Sequence, residues 1–194
     1  LSSLMLRIRR QERAAWLRAE RTTMLYALTR SIAAAATAED IARVVTRHVE
    51  TTFDCDASVW LAQQRLVLVD GGDTIRDGQG ETVAGWVQEH GRPAGLGTDT
   101  LAGASVFVAP MLSAKKTLGV VALRPRVAGA RFDREQRELL DTLLRQAALG
   151  IERTLLAEEA RAAALRAKTE ELRASLLSAV SHDLRTPLAT ITGA

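Results

Sequence analysis

The sequence predicts an α+β fold, in which a small, mostly antiparallel sheet is flanked by helices and followed by one long dimerisation helix. Three observations predict it. Apolar residues recur with helical spacing up to about residue 53, alternate with a period of two in short segments up to about residue 123, and return to helical spacing after residue 133. With 194 residues, 47% of them hydrophobic, the chain can form one domain with appendages.

Two helices are expected first. Gln11 to Ser31 contain neither glycine nor proline, and a long helix is expected up to about Ala36. Thr37 is expected to cap a second helix, with Asp40 three residues later. The apolar residues from Ile41 to Phe53 then lie on one face of that helix.

Four strands and a short helix are expected next. The strands are Val59–Leu61, Leu66–Val69, Ser105–Met111 and Leu118–Leu123. The short helix, Thr82–His90, lies between the second and third strands and ends at Gly91. The last two strands are expected to form an antiparallel hairpin.

The C-terminal helix is predicted to be unusually long. Asp133 is expected to cap it with Gln136, and from there to Pro187 the only glycine is Gly150. Spacing of alternately four and three residues defines a stripe: Ile151, Leu155, Glu158, Ala162, Leu165, Thr169, Leu172, Leu176, Ala179 and Asp183. The stripe predicts a weak two-stranded coiled coil. The alternative is an amphipathic helix packed on its own domain.

Composition excludes several classes of site. No apolar run approaches the roughly 18 residues that a membrane span requires. A single cysteine, Cys55, excludes an internal disulfide, and His48, His90 and His182 are not clustered, so no metal site is expected. This cysteine usage indicates a reducing, cytoplasmic compartment.

The net charge of +3 is concentrated at the N-terminus. Residues 1–21 carry six arginines and two glutamates, which gives +4 and leaves −1 for the remainder. A near-neutral remainder argues against a nucleic-acid-binding domain. The basic segment suits a helix that leaves a membrane on the cytoplasmic side, and a solvated helix is an equally good interpretation.

The most informative segment is Ser181-His182-Asp183-Leu184-Arg185-Thr186-Pro187-Leu188. His182 lies beside the stripe, where its neutral imidazole is expected to be exposed and nucleophilic. Asp183 can accept a hydrogen bond from one ring nitrogen and so fix the tautomer. Thr186 follows four residues later on the same helical face. Pro187 lacks an N–H group, which predicts a helix hinge.

This octapeptide resembles, at all eight positions, the phosphoacceptor box of bacterial sensor histidine kinases. The resemblance implies that His182 accepts the γ-phosphoryl group of ATP, bound with Mg, while Asp183 acts as general base and Thr186 orients water in a phosphatase reaction. It also implies a homodimer and transfer to an aspartate of a response regulator. The second bundle helix and the ATP-binding domain of that family are not in the sequence, so the chain alone is expected to be an inactive part of a longer kinase.

The preceding elements resemble a GAF sensor domain, and residues 137–156 resemble its closing helix. Residues 86–95 and 97–101 resemble the GAF signature of Kdp-type, potassium-responsive sensor kinases. The resemblance implies a cytoplasmic portion of a cell-membrane protein that regulates potassium-transport genes and is anchored by preceding spans. Its expected parts are a basic membrane-proximal helix (1–21), the GAF-like domain (22–150), a coiled-coil signalling helix (151–174) and the start of the phosphoacceptor domain (175–194).

A candidate ligand loop lies within that signature. Gly95 and Gly97 offer backbone groups, Thr98 and Thr100 offer hydroxyls, and Asp99 offers a carboxylate, which together can hold a small polar ligand. No cluster of aromatic residues accompanies the loop. A surface loop packed on its neighbour is therefore the favoured interpretation.

An alternative function is a GAF small-molecule-binding module whose output helix only dimerises. A purely structural coiled-coil adaptor is disfavoured, because such a protein has no use for a His-Asp pair beside a proline.

The remaining cysteine and histidines are expected to be structural. Cys55 is expected in the core rather than in a redox or chromophore site. His90 is expected to be a helix-end cation, and His48 is expected at the surface or boundary.

Overall fold

The computed structural model describes the backbone of residues 22–62, 65–71, 78–114 and 116–192, and the side chains of these residues up to 177. The basic segment 1–21 lies outside the described residues. Contacts divide the chain into two compact units, Leu1–Thr154 and Leu155–Ala194. The described elements are α1 (22–34), α2 (Ala38–Phe53), β1 (Cys55–Ala62), β2 (Leu66–Gly71), α3 (Gly78–His90), β3 (Ala94–Gly95), β4 (Phe107–Leu112), β5 (Thr117–Pro125) and α4 (Arg134–Thr192).

The first two helices form as the sequence predicts. Helix α1 ends at residue 34, two residues before the expected end at Ala36. The hydroxyl of Thr37 accepts a hydrogen bond from the backbone N–H of Asp40 at 3.1 Å, which confirms the predicted cap of α2. Helix α2 ends at Phe53, and the φ of its C-cap residue, Asp54, is left-handed at 46°.

The strands form one sheet in the order β2-β1-β5-β4-β3, and all its pairs are antiparallel. The predicted hairpin of β4 and β5 is confirmed. Strand β5 lies between β1 and β4, so the pairing of β1 with β5 joins distant parts of the sequence in one sheet. The short strand β3, which the sequence did not predict, pairs Ala94 with Val108 and Gly95 with Phe107.

The two faces of the sheet are covered by different helices. One face contributes Val59 and Ala109 to a core that also contains residues of α1, α2 and α4. The other face contributes Trp60 and Val108 to a smaller core with α3. The alternation of neighbouring residues between the two cores is the period-two pattern expected of a sheet buried on both faces. The α+β prediction is thus confirmed.

Helix α4 begins with the predicted cap and packs in the first unit over its first five turns. The carboxylate of Asp133 accepts a hydrogen bond from the N–H of Gln136 at 2.8 Å, and the Gln136 side chain accepts one from the N–H of Asp133 at 2.9 Å.

The stripe on α4 begins later than expected. Ile151, expected to be its first residue, is instead 1% exposed within the core of the first unit. Contacts of this unit continue to Thr154, beyond the boundary expected at residue 150. The part of the stripe outside this unit therefore begins at Leu155.

Within the described ranges, no helix is long and apolar enough to cross a membrane.

Candidate functional site

The residues of the phosphoacceptor box lie in α4, whose backbone is helical over Arg134–Thr192. Helical geometry places the fourth residue after His182, which is Thr186, on the same face. The side chains of His182, Asp183, Thr186 and Pro187 lie outside the described residues. The exposure of the imidazole, its contact with Asp183 and a hinge at Pro187 therefore stay predictions.

The stripe of α4 carries exposed leucines within the second unit. Leu165, Leu172 and Leu176 are 70%, 55% and 66% exposed. Between the first two, the hydroxyl of Thr169 donates to the backbone carbonyl of Leu165 at 2.9 Å, so this polar member of the stripe is satisfied within its own helix. Exposed leucines at heptad-type spacing are the surface that a second helix covers in a coiled coil. Dimerisation stays a prediction.

The candidate ligand loop uses its polar groups internally. The N–H of Gly95 donates to the carbonyl of Thr100 at 2.8 Å. The hydroxyl of Thr98 lies 2.8 Å from the carbonyls of both Gly95 and Thr100, and it accepts the N–H of Thr100 at 3.3 Å. Asp99 is exposed. The loop is thus closed on itself, with one hydroxyl at its centre.

Close packing accounts for the glycine at position 95. Its φ is 93°, and a Cβ there would lie 2.1 Å from the carbonyl oxygen of Val106. The neighbouring N–H of Leu96 donates to the same carbonyl at 2.7 Å. These contacts agree with a loop packed on its neighbour, and a ligand role of the loop stays a prediction.

Two of the cavities that border α3 lie on its side of the sheet. One, of about 430 Å³, is bordered by the first turns of α3 and by residues 101–104. The other, of about 600 Å³, lies between α3 and the β1–β2 hairpin and is lined by Trp60, Leu68 and Gln88 among others. Both volumes fall within the range of small-molecule pockets.

Helix α3 carries polar and aromatic contacts that the sequence analysis missed. The side-chain amide of Gln88 donates to the carbonyl of Thr117 at 3.1 Å, whereas its buried Oε1 has no partner among the described residues. The rings of Trp86 and His90 stack with centroids 4.1 Å apart, and Nδ1 of His90 lies 2.9 Å from the Trp86 carbonyl. The four-residue spacing of Trp86 and His90 was the available signal.

The single thiol lies in the core. Cys55 is fully buried, and burial raises the pKa of its thiol to about 12. The thiol lies 3.8 Å from the carbonyl of Val49. A thiol that stays protonated at neutral pH is unreactive, so the expectation of a core cysteine is confirmed. His48 is half-buried, which confirms its boundary position.

Comparisons with known proteins agree on the fold. The sequence model of the GAF domain matches residues 37–153. The chain is 33% identical over 167 residues to the sensor protein KdpD of Escherichia coli (strain K12), and these residues are 82% of this chain but 18% of that protein. The chain therefore spans less than a fifth of that relative.

Two solved structures are also similar. The crystal structure of the native GAF domain of the potassium sensor histidine kinase KdpD from Escherichia coli matches with a TM-score of 0.61 and 28% identity, and the match covers 72% of this chain and 98% of that one. The GAF domain of an Acinetobacter phosphoenolpyruvate-protein phosphotransferase matches with a TM-score of 0.57 and 15% identity, over 70% and 94% of the two chains. The second match is a likeness of fold alone.

Proposed function

Since the chain belongs to the GAF domain family, we propose that it is the sensor and phosphoacceptor segment of a two-component sensor histidine kinase of the potassium-responsive KdpD type. The observation that carries the proposal is the octapeptide Ser181–Leu188, which lies on the same helix that closes the GAF domain. The identity of 33% with the sensor protein KdpD supports it.

In this function His182 is the nucleophile. One imidazole nitrogen forms a bond to the γ-phosphorus of ATP while the bond from that phosphorus to the bridging oxygen breaks, and ADP leaves. Asp183 holds the proton of the other ring nitrogen and stabilises the positive charge that the ring acquires. Transfer of the phosphoryl group to a response-regulator aspartate restores the free imidazole. Thr186, on the same helical face, orients water for the phosphatase reaction.

Helix α4 supplies a direct route for the signal. Its first turns bury Leu140, Leu144 and Ile151 in the GAF core, and the same helix contains His182. A change in the GAF core that moves α4 therefore acts on the phosphoacceptor without a further connection. The exposed leucines of the stripe support a homodimer, and the arginines of residues 1–21 support attachment to the inner face of a membrane through preceding spans.

The test is phosphorylation of this chain by a separately supplied ATP-binding domain of a KdpD-type kinase, with Mg and ATP labelled at the γ position. The wild-type chain is expected to acquire acid-labile label, and His182→Gln is expected to abolish it. His48→Gln and His90→Gln are matched controls that keep the label. Label that persists in His182→Gln would overturn the proposal.

A second candidate function is a GAF small-molecule-binding module whose output helix only dimerises. The two cavities on the α3 side, of about 430 and 600 Å³, favour it. Calorimetric titration with cyclic nucleotides separates the two functions when it is combined with the phosphorylation test. Tight nucleotide binding with no phosphotransfer to His182 favours the module, whereas phosphotransfer favours the kinase segment whether or not a nucleotide binds.

A further inference from the structure

A smaller cavity, of about 300 Å³, lies at the β4 edge of the sheet, against the core to which α4 contributes. We call it the α4 cavity, because β4 and the first three turns of α4 form its walls. Its apolar lining is Pro93, Phe107, Ala109, Pro110, Leu112, Leu140 and Leu144. Its charged lining is Arg137, Asp141 and Arg145, and Thr98 of the candidate ligand loop lies at its border. The cavity thus combines apolar walls with a few charged groups on one helix, as small-molecule sites do.

Arg137 is held in place beside this cavity. Its Nε donates to the carbonyl of Phe132 at 2.8 Å, and its guanidinium carbon lies 5.7 Å from the centroid of the Phe107 ring. The Phe107 ring in turn lies 5.9 Å from the ring of Phe132. Among the described residues, neither terminal nitrogen of Arg137 has a hydrogen-bond partner. A fixed, half-buried guanidinium with donors to spare is suited to an anion.

The glycine at position 97 makes room for this guanidinium. A Cβ at Gly97 would lie 3.2 Å from a terminal nitrogen of Arg137, and the φ of Gly97 is 74°. Any other residue there would be strained and would press on the arginine. The candidate ligand loop therefore leaves space for Arg137 at Gly97.

The charge balance of the lining is positive. Arg145 is paired with Asp141 at 2.8 Å, which leaves the charge of Arg137 uncompensated among the three. The first turn of α4 already carries the negative charges of Asp133 and Glu135, so the helix dipole adds no separate argument. An anion at the terminal nitrogens of Arg137 is favoured by the charge balance of the lining.

We propose that the α4 cavity binds a small amphipathic anion, a carboxylate or phosphate monoester carried on a compact apolar body. The anionic group contacts the terminal nitrogens of Arg137, and the apolar body lies against Phe107, Ala109 and Leu140. A volume of about 300 Å³ limits the body to about one ring or a short branched chain. The site is separate from both α3-side cavities, and its ligand would touch α4 itself. It does not depend on phosphorylation of His182.

The experiment is a titration of the full 194-residue chain with three anions, benzoate, isovalerate and phenyl phosphate, followed by 1H–15N NMR. Benzamide is the neutral counterpart of benzoate. At least one anion is expected to give saturable shifts at residues 137–145 and 107–109, and benzamide is expected to bind about tenfold more weakly than benzoate, because it lacks the charge-assisted hydrogen bonds. If a carboxylate binds and the phosphate does not, or the reverse, the anionic group is identified.

Arg137→Gln is expected to weaken binding about tenfold. The control is Arg134→Gln, at an exposed arginine that pairs with Glu138 and does not line the cavity, and it should leave binding unchanged. Ala109→Leu fills the cavity and should abolish binding while Arg137 is intact. No saturable shifts with any of the three anions, equal binding of benzoate and benzamide by the wild-type chain, or equal losses in Arg137→Gln and Arg134→Gln would overturn the proposal.

Discussion

At the scale of single residues, two helical glycines, Gly150 and Gly85, differ in the space around them and can be compared directly. A Cβ at Gly150 of α4 would lie 2.3 Å from Cγ2 of Ile32 and 3.3 Å from Cδ1 of Ile41, whereas a Cβ at Gly85 of α3 would have no atom within 4 Å. Gly150→Ala is expected to lower the free energy of unfolding by about 1–3 kcal/mol, because α1 and α4 must separate. Gly85→Ala should raise it by up to about 1 kcal/mol through helix propensity. Urea denaturation measures both, and equal changes would contradict this account of the α1–α4 contact.

The buried thiol predicts a pH dependence of stability. The pKa of Cys55 is raised from its ordinary value of 9.0 to about 12 by burial, so the unfolded chain loses this proton at lower pH than the folded chain does. The resulting contribution to stability is fully present below pH 9 and is lost as the pH rises from about 9 to about 12. Cys55→Ala removes this contribution.

The free energy of unfolding of the wild-type chain should therefore decrease more steeply above about pH 9 than that of Cys55→Ala. Urea titrations at about pH 7, 8, 9 and 10 measure the two slopes, and groups other than the thiol are common to both chains. Parallel curves over this range would show that the thiolate is not excluded from the folded state.

At the scale of elements, the start of α4 depends on a reciprocal cap. Asp133 and Gln136 each accept the backbone N–H of the other, at 2.8 and 2.9 Å. Asp133→Ala is expected to lower the free energy of unfolding by about 1 kcal/mol. Asp133→Asn keeps an acceptor and should cost only a few tenths of a kcal/mol. Denaturation of the two variants checks the cap, and equal losses would assign the effect to charge instead.

The elements also show what local sequence can predict. Both caps follow from four-residue patterns, so Thr37 and Asp133 were predicted correctly. Strand β1 was predicted over Val59–Leu61 but spans Cys55–Ala62, because both of its faces are buried and the alternation of apolar and polar residues is weak. The two-residue strand β3 is defined only by its pairing with β4, and no local sequence pattern predicts such a contact.

At the scale of the whole molecule, adjacent leucines on α4 test whether the stripe forms an interface. Leu176 belongs to the stripe and Leu177 does not, and they are 66% and 69% exposed. If two copies pair along the stripe, Leu176 becomes buried in the dimer. Leu176→Ser should then raise the dimer dissociation constant about tenfold or more, because it removes one interface leucine from each chain. Leu177→Ser should have a much smaller effect. Light scattering during size-exclusion chromatography, over a range of concentrations, measures both, and equal effects would exclude the stripe as the interface.

The phosphoacceptor box and the α4 cavity differ in how far sequence can predict them. The box is eight consecutive residues, and its pattern is visible without a structure. The cavity combines Arg137 with Phe107 and Thr98, which precede it by 30 or more residues in sequence and meet it only because β4 lies beside the start of α4. For this reason no local sequence pattern marks Arg137 as a candidate ligand contact.

The shortness of β3 leaves part of β4 without a strand on one side. Among the described strands, β3 covers only Phe107 and Val108, so Ala109–Leu112 form an edge of the sheet. A backbone N–H group on the unpaired side of a strand needs a hydrogen-bond partner when it is buried. Ala109, Pro110 and Met111 are all buried within the domain. The ring of Pro110 leaves no N–H group at its position, so the proline leaves one backbone donor fewer to satisfy where β4 has no neighbouring strand.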